Sequence, residues 1–485
     1  MNNDAVDVNR TENVTATVLP LRDAPEPVEA FRRLSNWPHC VFFDSAQRDD
    51  SLGRYSFVTA DPFDYLELPT IGVDALAELS QRMRSLRIES IPGLPPFQGG
   101  AAGLFGYDLC HAPESLPRCR FDEFQVPPLG VGLYDVVLAY DHQQGEAWII
   151  SHGLPEIVPD RRQRRAEQRA ELFRRQIESV DAEDTSGETS TSGPRRMIPE
   201  SAICPQTAMP VASIVDLTSN FDRDSYLRSV ERIIEYIYAG DIFQANFSQR
   251  LLHPAEDNSV ELYLRLRERN AAPFAGYFDL GEFQIVSASP ERFLQLRDGE
   301  VEARPIKGTR RRLSQPEADF YAGDDLQQSE KDRAENVMIV DLLRNDLSKV
   351  CRPESVRVTQ LCQLESYAYV QHLVSAIVGE LDDATGPLDL LRAAFPGGSI
   401  TGAPKVRAME IIAELEPTAR GPYCGSLGYV GFDGAMDTSI LIRTITAGRG
   451  WWQIPVGGGI VAQSNPIAEY EETWHKAEGM LRALK

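Results

Sequence analysis

This chain lacks cysteines at zinc-ligand spacing, long apolar runs and any surplus of positive charge, and each absence narrows what it can do. Its seven cysteines (Cys40, Cys110, Cys119, Cys204, Cys351, Cys362, Cys424) are odd in number and scattered, with no Cys-x-x-Cys or Cys/His pairing at zinc spacing. That argues against structural zinc, and reduced, mostly buried thiols in a cytoplasmic protein are the simplest account. No apolar stretch approaches the length of a membrane span. The opening Met1-Asn2-Asn3-Asp4-Ala5-Val6-Asp7 is polar and acidic, unlike a signal or transit peptide. With 49 basic against 72 acidic residues the net charge is −23, which argues against nucleic acid or an anionic membrane as partner. The same acidity means that an anionic substrate needs a locally positive pocket or a bound cation.

What is present is the composition of an ordinary globular protein, 42% hydrophobic and 25% charged over 485 residues, long enough for about two or three domains. One compositional break stands out. Asp181 to Arg196 reads DAEDTSGETSTSGPRR, with no apolar period, a flexible exposed connection. The chain therefore divides into an N-terminal region (17–180), a linker (181–214) and a C-terminal region (215–483). Before the break, Ala166, Leu172, Phe173 and Ile177 mark a helix over 160–179, and strand-like runs occupy 40–43 and 131–140. After it, Tyr226, Val230, Ile233, Ile234 and Ile237 share one helix face that ends at Gly240. Strands are expected at 284–287, 293–296, 439–446 and 451–456. Helices are expected from 329 to about 350 and from Asn465-Pro466 onward, a cap followed by proline in the first turn. The irregular interleaving predicts mixed α/β layers, not a regular doubly wound sheet.

Chemistry concentrates in a few places. Lys307 lies in the run Arg304-Pro305-Ile306-Lys307-Gly308-Thr309-Arg310-Arg311-Arg312. Pro305 stiffens the backbone, Gly308 lets it approach a ligand, and neighbouring cations disfavour the ammonium form, as a nucleophilic amine requires. A solvated basic turn also accounts for the run taken alone. Asp332 and Glu335 share one helix face, and Glu469 and Glu472 repeat the spacing with Lys476 a turn later. Two such helices suit one Mg²⁺, although two ordinary solvated faces are the plainer reading of the spacing alone. Gly457-Gly458-Gly459 follow a strand and fit either an anion cradle or a tight turn. Phe395 to Lys405 resembles a phosphate loop only superficially, because Gly402 is followed by Ala403 instead of lysine. It reads as a loop leading into a helix near 406–415. Glu291 precedes Lys307 by sixteen residues. If their strands pair, acid and amine face one cavity, where burial raises the carboxyl toward a general-acid role; a surface Glu–Arg turn is the plainer alternative. His372 sits in a mixed apolar run, the setting of a buried structural histidine.

Six runs occur in one order: 240–250 (GDIFQANFSQR), 287–293 (SASPERF), 305–309 (PIKGT), 335–346 (ENVMIVDLLRND), 396–405 (PGGSITGAPK) and 423–429 (YCGSLGY). Together they resemble the chorismate-utilising enzymes, a family that includes anthranilate, isochorismate and aminodeoxychorismate synthases. The likeness is dense over 215–483 and looser before it. It implies an α+β, anthranilate-synthase-like fold of layered β-sheets flanked by helices, an α/β sandwich. It also implies chorismate as substrate and Mg²⁺ held by Glu335 and Glu472. Gly308, Thr309, Tyr429, Arg443, Gly457, Gly458 and Gly459 would hold the substrate, Glu291 would protonate the departing hydroxyl, and His372 would stand at the family's active-site histidine.

Within that family Lys307 discriminates. Anthranilate synthases carry alanine in the Pro-Ile-x-Gly-Thr run, whereas aminodeoxychorismate synthases carry a lysine that attacks the ring. Isochorismate synthases place their water-activating lysine where this chain has Gln244. The resemblance thus points to component I of the aminodeoxychorismate branch, with anthranilate synthase component I, or a non-catalytic chorismate- or tryptophan-binding subunit, as rivals. Ser45, Pro273, Phe274 and Ala275 match segments that line a tryptophan pocket in relatives, although Asp44 replaces the residue usual before that serine. No Gly-x-Cys-x-Gly elbow or His-x-Glu pair of a glutaminase is present. Nitrogen is therefore expected as free ammonia or from a separate glutamine amidotransferase subunit.

Overall fold

The computed structural model describes residues 16–48, 52–69, 73–112, 114–179, 197–212, 214–312, 315–366 and 370–485. The acidic Ser/Thr/Gly run Asp181–Arg196 lies outside them. Among the described residues the strands form two antiparallel sheets, one of 13 strands and one of 10, with helices on the outer face of each. The fold is α+β, as the sequence suggests.

Apolar patterning dictates the layers. Helices Pro27–Leu34, Pro159–Glu178, Ser259–Arg269 and Pro466–Ala483 bury Phe31, Phe173, Tyr263 and Met480 against Phe42, Tyr277, Ile445 and Trp452 of the larger sheet. Each such side chain contributes about 1.5–3 kcal/mol by leaving water. Between the sheets lie Phe57, Phe97, Leu104, Phe278, Ile285 and Tyr429. Beyond the smaller sheet, helices Glu330–Leu347 and Pro387–Ala394 bury Ile339, Leu343 and Leu391.

The N- and C-terminal regions divide the sequence but not the sheets. The larger sheet places Val41–Asp44 beside Phe274–Asp279, joining strands from both sides of the linker. The smaller one places Gly100–Phe105 beside Ser426–Gly431.

Several expected elements hold, including the helices Arg223–Ala239, closed by Gly240 at φ 85°, and Pro466–Ala483, capped by the Asn465 side chain. Two runs read as single strands are each broken in two, with the halves in different sheets. Leu129–Tyr134 belongs to the smaller sheet and Val136–Asp141 to the larger, with Asp135 between them. Likewise Met436–Ile440 and Thr444–Gly448 are separated by a crossing at 441–443. A third crossing, at Pro290-Glu291, links Phe283–Ser289 to Arg292–Arg297. The second and third run side by side, since the Ala288 amide donates to the Arg443 carbonyl at 3.1 Å and the Ile440 amide to the Glu291 carbonyl at 3.0 Å.

Candidate active site

The side-by-side crossings bring Glu291 and Arg443 to the seam of the sandwich. Glu291 is buried, and its carboxylate accepts the Ser399 hydroxyl at 3.1 Å. Burial raises its pKa, opposed by the charge of Lys307 and the Ser399 hydrogen bond. The carbonyl of the same Ser399 accepts the Lys307 ammonium at 3.1 Å. Acid and amine therefore meet, but not through pairing of their strands. Arg292–Arg297 pairs with Glu300–Ala303 and Met436–Ile440, whereas Ile306–Arg311 pairs with Val370–Glu380.

Gly308 sets the direction of Lys307. The register between Ile306–Arg311 and Val370–Glu380 shifts between Lys307 and Thr309, leaving Gly308 as the extra residue of a bulge at φ 68°, a conformation that suits glycine. A Cβ there would lie 2.6 Å from Leu326 and 3.0 Å from Asp332. The Thr309 backbone pairs with His372. The arginines around Lys307 do not form a cationic cluster on it. Arg304 pairs with Glu365 at 2.6 Å, Arg310 with Asp325 at 3.2 Å and Arg312 with Asp319 at 2.7 Å. The charges that Lys307 meets are the carboxylates of Glu291, Glu335 and Glu472. The expected activation by neighbouring cations is thus replaced by an acidic surround.

Glu335 comes from the Glu330–Leu347 helix and Glu472 from Pro466–Ala483. Burial lifts the Glu335 carboxyl; Lys307 and Lys331 oppose the rise, and Asp332 and Glu469 add to it. Burial also pushes on Glu472, but Lys476, 2.7 Å away, together with Lys331 and Lys307, holds its carboxyl below the usual range. Both acids therefore face Lys307 and Lys331. Glu469 accepts the Ser464 hydroxyl at 2.6 Å and pairs with Lys331 at 3.3 Å, while Asp332 lies against Gly308 and 3.8 Å from Arg310. Among the described residues no three His, Cys, Asp or Glu side chains converge to hold a metal on their own. Glu335 and Glu472, the two acids expected to hold Mg²⁺, are oxygen donors of the kind that ion accepts alongside water and an anionic ligand.

Gly457-Gly458-Gly459 form neither a turn nor a compact nest. They continue the strand Trp451–Ile460 and pair with Ser248, Phe247 and Asn246. On their other side Thr444–Gly448 pairs only as far as Gln453. A Cβ on Gly458 would sit 3.5 Å from Glu469, Glu472 and Lys476, so the missing side chains let the acids of the terminal helix lie close over the strand. Gln244 is fully buried beside Gly459, and its amide atoms have no hydrogen-bond partner among the described residues.

Arg443 occupies the crossing at φ 50°, and burial lowers its pKa. No acid pairs with it among the described residues. An unpaired, partly desolvated guanidinium is a ready partner for a carboxylate. Burial, aided by Arg443, pushes buried His372 down to about 4, so the ring is neutral at pH 7.

Tyr429 does not join this group. Alternation along Ser426–Gly431 puts its ring between the sheets, stacked on Phe97 with centroids 4.3 Å apart. There it lines a cavity of about 410 Å³ with Ser45, Pro273, Phe274 and Ala275. Asp44, the departure noted beside Ser45, is buried and held by Arg267 at 2.6 Å and the Tyr263 hydroxyl at 2.8 Å. Sequence reasoning missed Ser399, which lies within the run 396–405. Its type and spacing carried no signal, and only the chain path shows that it touches both acid and amine.

The model of the chorismate binding enzyme family matches residues 43–482. The chain is 38% identical to aminodeoxychorismate synthase component 1 of Escherichia coli K12, over 97% of this chain and 98% of that one. It is 36% identical to anthranilate synthase component 1 of Bacillus caldotenax, over 96% and 92%. The structure superposes on anthranilate synthase component I of Streptococcus pneumoniae with a TM-score of 0.72 at 28% identity, covering 89% of this chain and 93% of that one. Matched along nearly its whole length, this chain belongs to the chorismate-binding enzymes.

Proposed function

We propose that the chain is component I of an aminodeoxychorismate synthase, turning chorismate and ammonia into 4-amino-4-deoxychorismate on the way to 4-aminobenzoate and folate. The observation that carries this reading is the meeting of the Lys307 amine and the Glu291 carboxyl at Ser399. The deprotonated Lys307 amine adds to ring C2, the double bonds shift, and the C4–O bond breaks as Glu291 delivers a proton so that water leaves. Ammonia then adds at C4, the double bonds shift back, and the C2–N bond breaks to free Lys307. Arg443 and the open edge of Gly457–Gly459 bind substrate carboxylates, and Gly308 and Thr309 present backbone to the ring. His372, neutral near pH 7, can exchange a hydrogen bond without adding charge. When bound by Glu335 and Glu472, Mg²⁺ supplies positive charge for the ring carboxylate.

The ammonia comes from glutamine through a separate amidotransferase subunit, as the component naming of the relatives suggests. A cytoplasmic setting suits the seven free cysteines, five of them buried; among the described residues no helix is long and apolar enough to cross a membrane. The 410 Å³ cavity, with aromatic walls, Ser45 and both signs of charge, suits a zwitterionic aromatic amino acid, and we assign it to tryptophan.

Anthranilate synthase is the second reading, favoured by the 36% identity to enzymes of that name. Incubating the purified protein with chorismate, Mg²⁺ and ammonium, then adding aminodeoxychorismate lyase, separates the two. Formation of 4-aminobenzoate only after the lyase supports the proposal. Anthranilate formed without it overturns the proposal, and absence of any turnover returns the chain to a binding role.

A further inference from the structure

The run Phe395–Lys405 fails as a phosphate loop, and its lysine has another partner. Lys405 opens the helix Lys405–Leu415, where a cation meets the positive end of the helix dipole. Its side chain is 14% exposed, and its ammonium donates to the Asp346 carboxylate at 2.6 Å and the Ala394 carbonyl at 2.9 Å. Asp346 is 1% exposed and closes the Glu330–Leu347 helix, whose first turns carry Glu335. Burial lowers the Lys405 pKa, and Asp346 opposes that fall. A buried pair repays its desolvation poorly as a source of stability, so its place in the fold calls for another explanation.

That explanation lies in what the pair joins. On one side, residues 396–404 are sewn to the strand Gln244–Pro254. Gln244 pairs with Ala403 and Ala245 with Gly402, and the Asn246 amide donates to the Thr401 carbonyl at 2.7 Å. On the other side the segment presses on the Glu330–Leu347 helix, where a Cβ on Gly398 would come 2.5 Å from Leu342. Among the described residues, the Lys405–Asp346 pair is the polar tie between this segment and that helix. The segment carries Ser399, which touches Glu291 and Lys307.

We propose that Lys405 is a positioning residue, fixing the Ser399 segment through Asp346 against the helix that bears Glu335, so that acid, amine and metal-binding carboxylate keep one geometry. The proposal rests on the chorismate chemistry above. Its test compares Lys405→Met and the double variant Lys405→Met/Asp346→Leu, in the full chain, for kcat and KM with chorismate and for melting temperature. A third readout is the rate at which a small amine-acylating reagent modifies Lys307, followed by peptide mass spectrometry.

In Lys405→Met, kcat falls about 10- to 100-fold, the scale of a displacement of roughly 1 Å, while KM changes by less than about threefold because substrate binding is retained. Melting also falls, because Asp346 stays buried with only the exposed Lys349, 2.9 Å away, as partner. The double variant regains melting temperature but not kcat, and Lys307 is modified faster in both. Unchanged kcat in a folded variant, or recovery of kcat together with melting in the double, overturns the proposal. Should Lys405→Met fail to fold, the double variant decides. Should the wild type not turn over chorismate, the functional reading fails, and the modification rate of Lys307 alone decides this proposal: unchanged labelling in both variants overturns it.

Discussion

The Ser399 hydroxyl donates to the Glu291 carboxylate across 3.1 Å, inside a site where burial holds that carboxyl high. Hydrogen bonding to the charged form lowers the pKa, so Ser399→Ala removes a lowering influence and Glu291 rises further. An acid acts while protonated, and its activity is lost as pH rises through its pKa. The alkaline limb of the kcat profile therefore moves to higher pH in Ser399→Ala. Glu291→Gln loses about 10²- to 10⁴-fold in kcat, the usual range for a general acid. Steady-state assays across pH check both, and an alkaline limb that stays in place removes the assigned role of Glu291. His372, already pushed down to about 4, adds no titration between pH 5 and 8.

Lys307→Ala removes the nucleophile while leaving the Gly308 bulge in place. Aminodeoxychorismate formation falls to background, and denaturant melts stay within about 1 kcal/mol, since the half-buried side chain adds little to the core. Intact-protein mass spectrometry during turnover finds the covalent adduct in the wild type and none in the variant. Undiminished turnover would remove the covalent step.

Glu335 and Glu472 come from different helices, so in the proposed site loss of either removes one of the two assigned ligands. Chelation of the wild type abolishes turnover, and Mg²⁺ restores it. Glu472→Gln raises the Mg²⁺ concentration needed for half-maximal rate by about tenfold or more, an effect of about 1.4 kcal/mol or greater. Titration of rate against Mg²⁺ measures this, and indifference to chelator refutes the metal assignment.

The three consecutive glycines differ in what they tolerate. A Cβ on Gly457 would strike the Phe247 carbonyl of the paired strand, whereas on Gly458 it would make ordinary 3.5 Å contacts to Glu469, Glu472 and Lys476. Gly457→Ala is therefore destabilised by about 1–3 kcal/mol, the cost of overpacking. Gly458→Ala folds with nearly wild-type stability and shows its effect in catalysis, since the methyl group faces the metal-side acids. Chemical denaturation ranks the two, and equal stabilities refute the steric account.

Much of this molecule was legible in the sequence where local rules act alone. Asn465-Pro466 begins its helix and Gly240 ends another, because caps depend on the few residues around them. Asp332 and Glu335 fall on one helix, as their spacing requires. The strand breaks at Asp135 and at 441–443 were not legible. Each break carries a single charged residue, Asp135 or Arg443, in an otherwise mostly apolar run, and only the choice of sheet on either side separates the halves. Tyr429 was misplaced for a related reason. Its motif identifies the strand but not which face meets the other sheet, and that face belongs to Phe97 and the larger cavity. Lys307 was placed in the site for one wrong reason, since each neighbouring arginine whose side chain is described is engaged by an acid elsewhere.

The pairing of Val41–Asp44 with Phe274–Asp279 bears on how the chain can be cut. A fragment beginning near residue 215 would keep every carboxylate of the cleft and Lys307 itself. It would also leave Phe274–Asp279 as a naked border, with amides and carbonyls open to any passing strand. Such a fragment would self-associate instead of working alone. The N-terminal piece, supplied in trans, is the natural cover for that border, so activity should return only when both pieces are folded together.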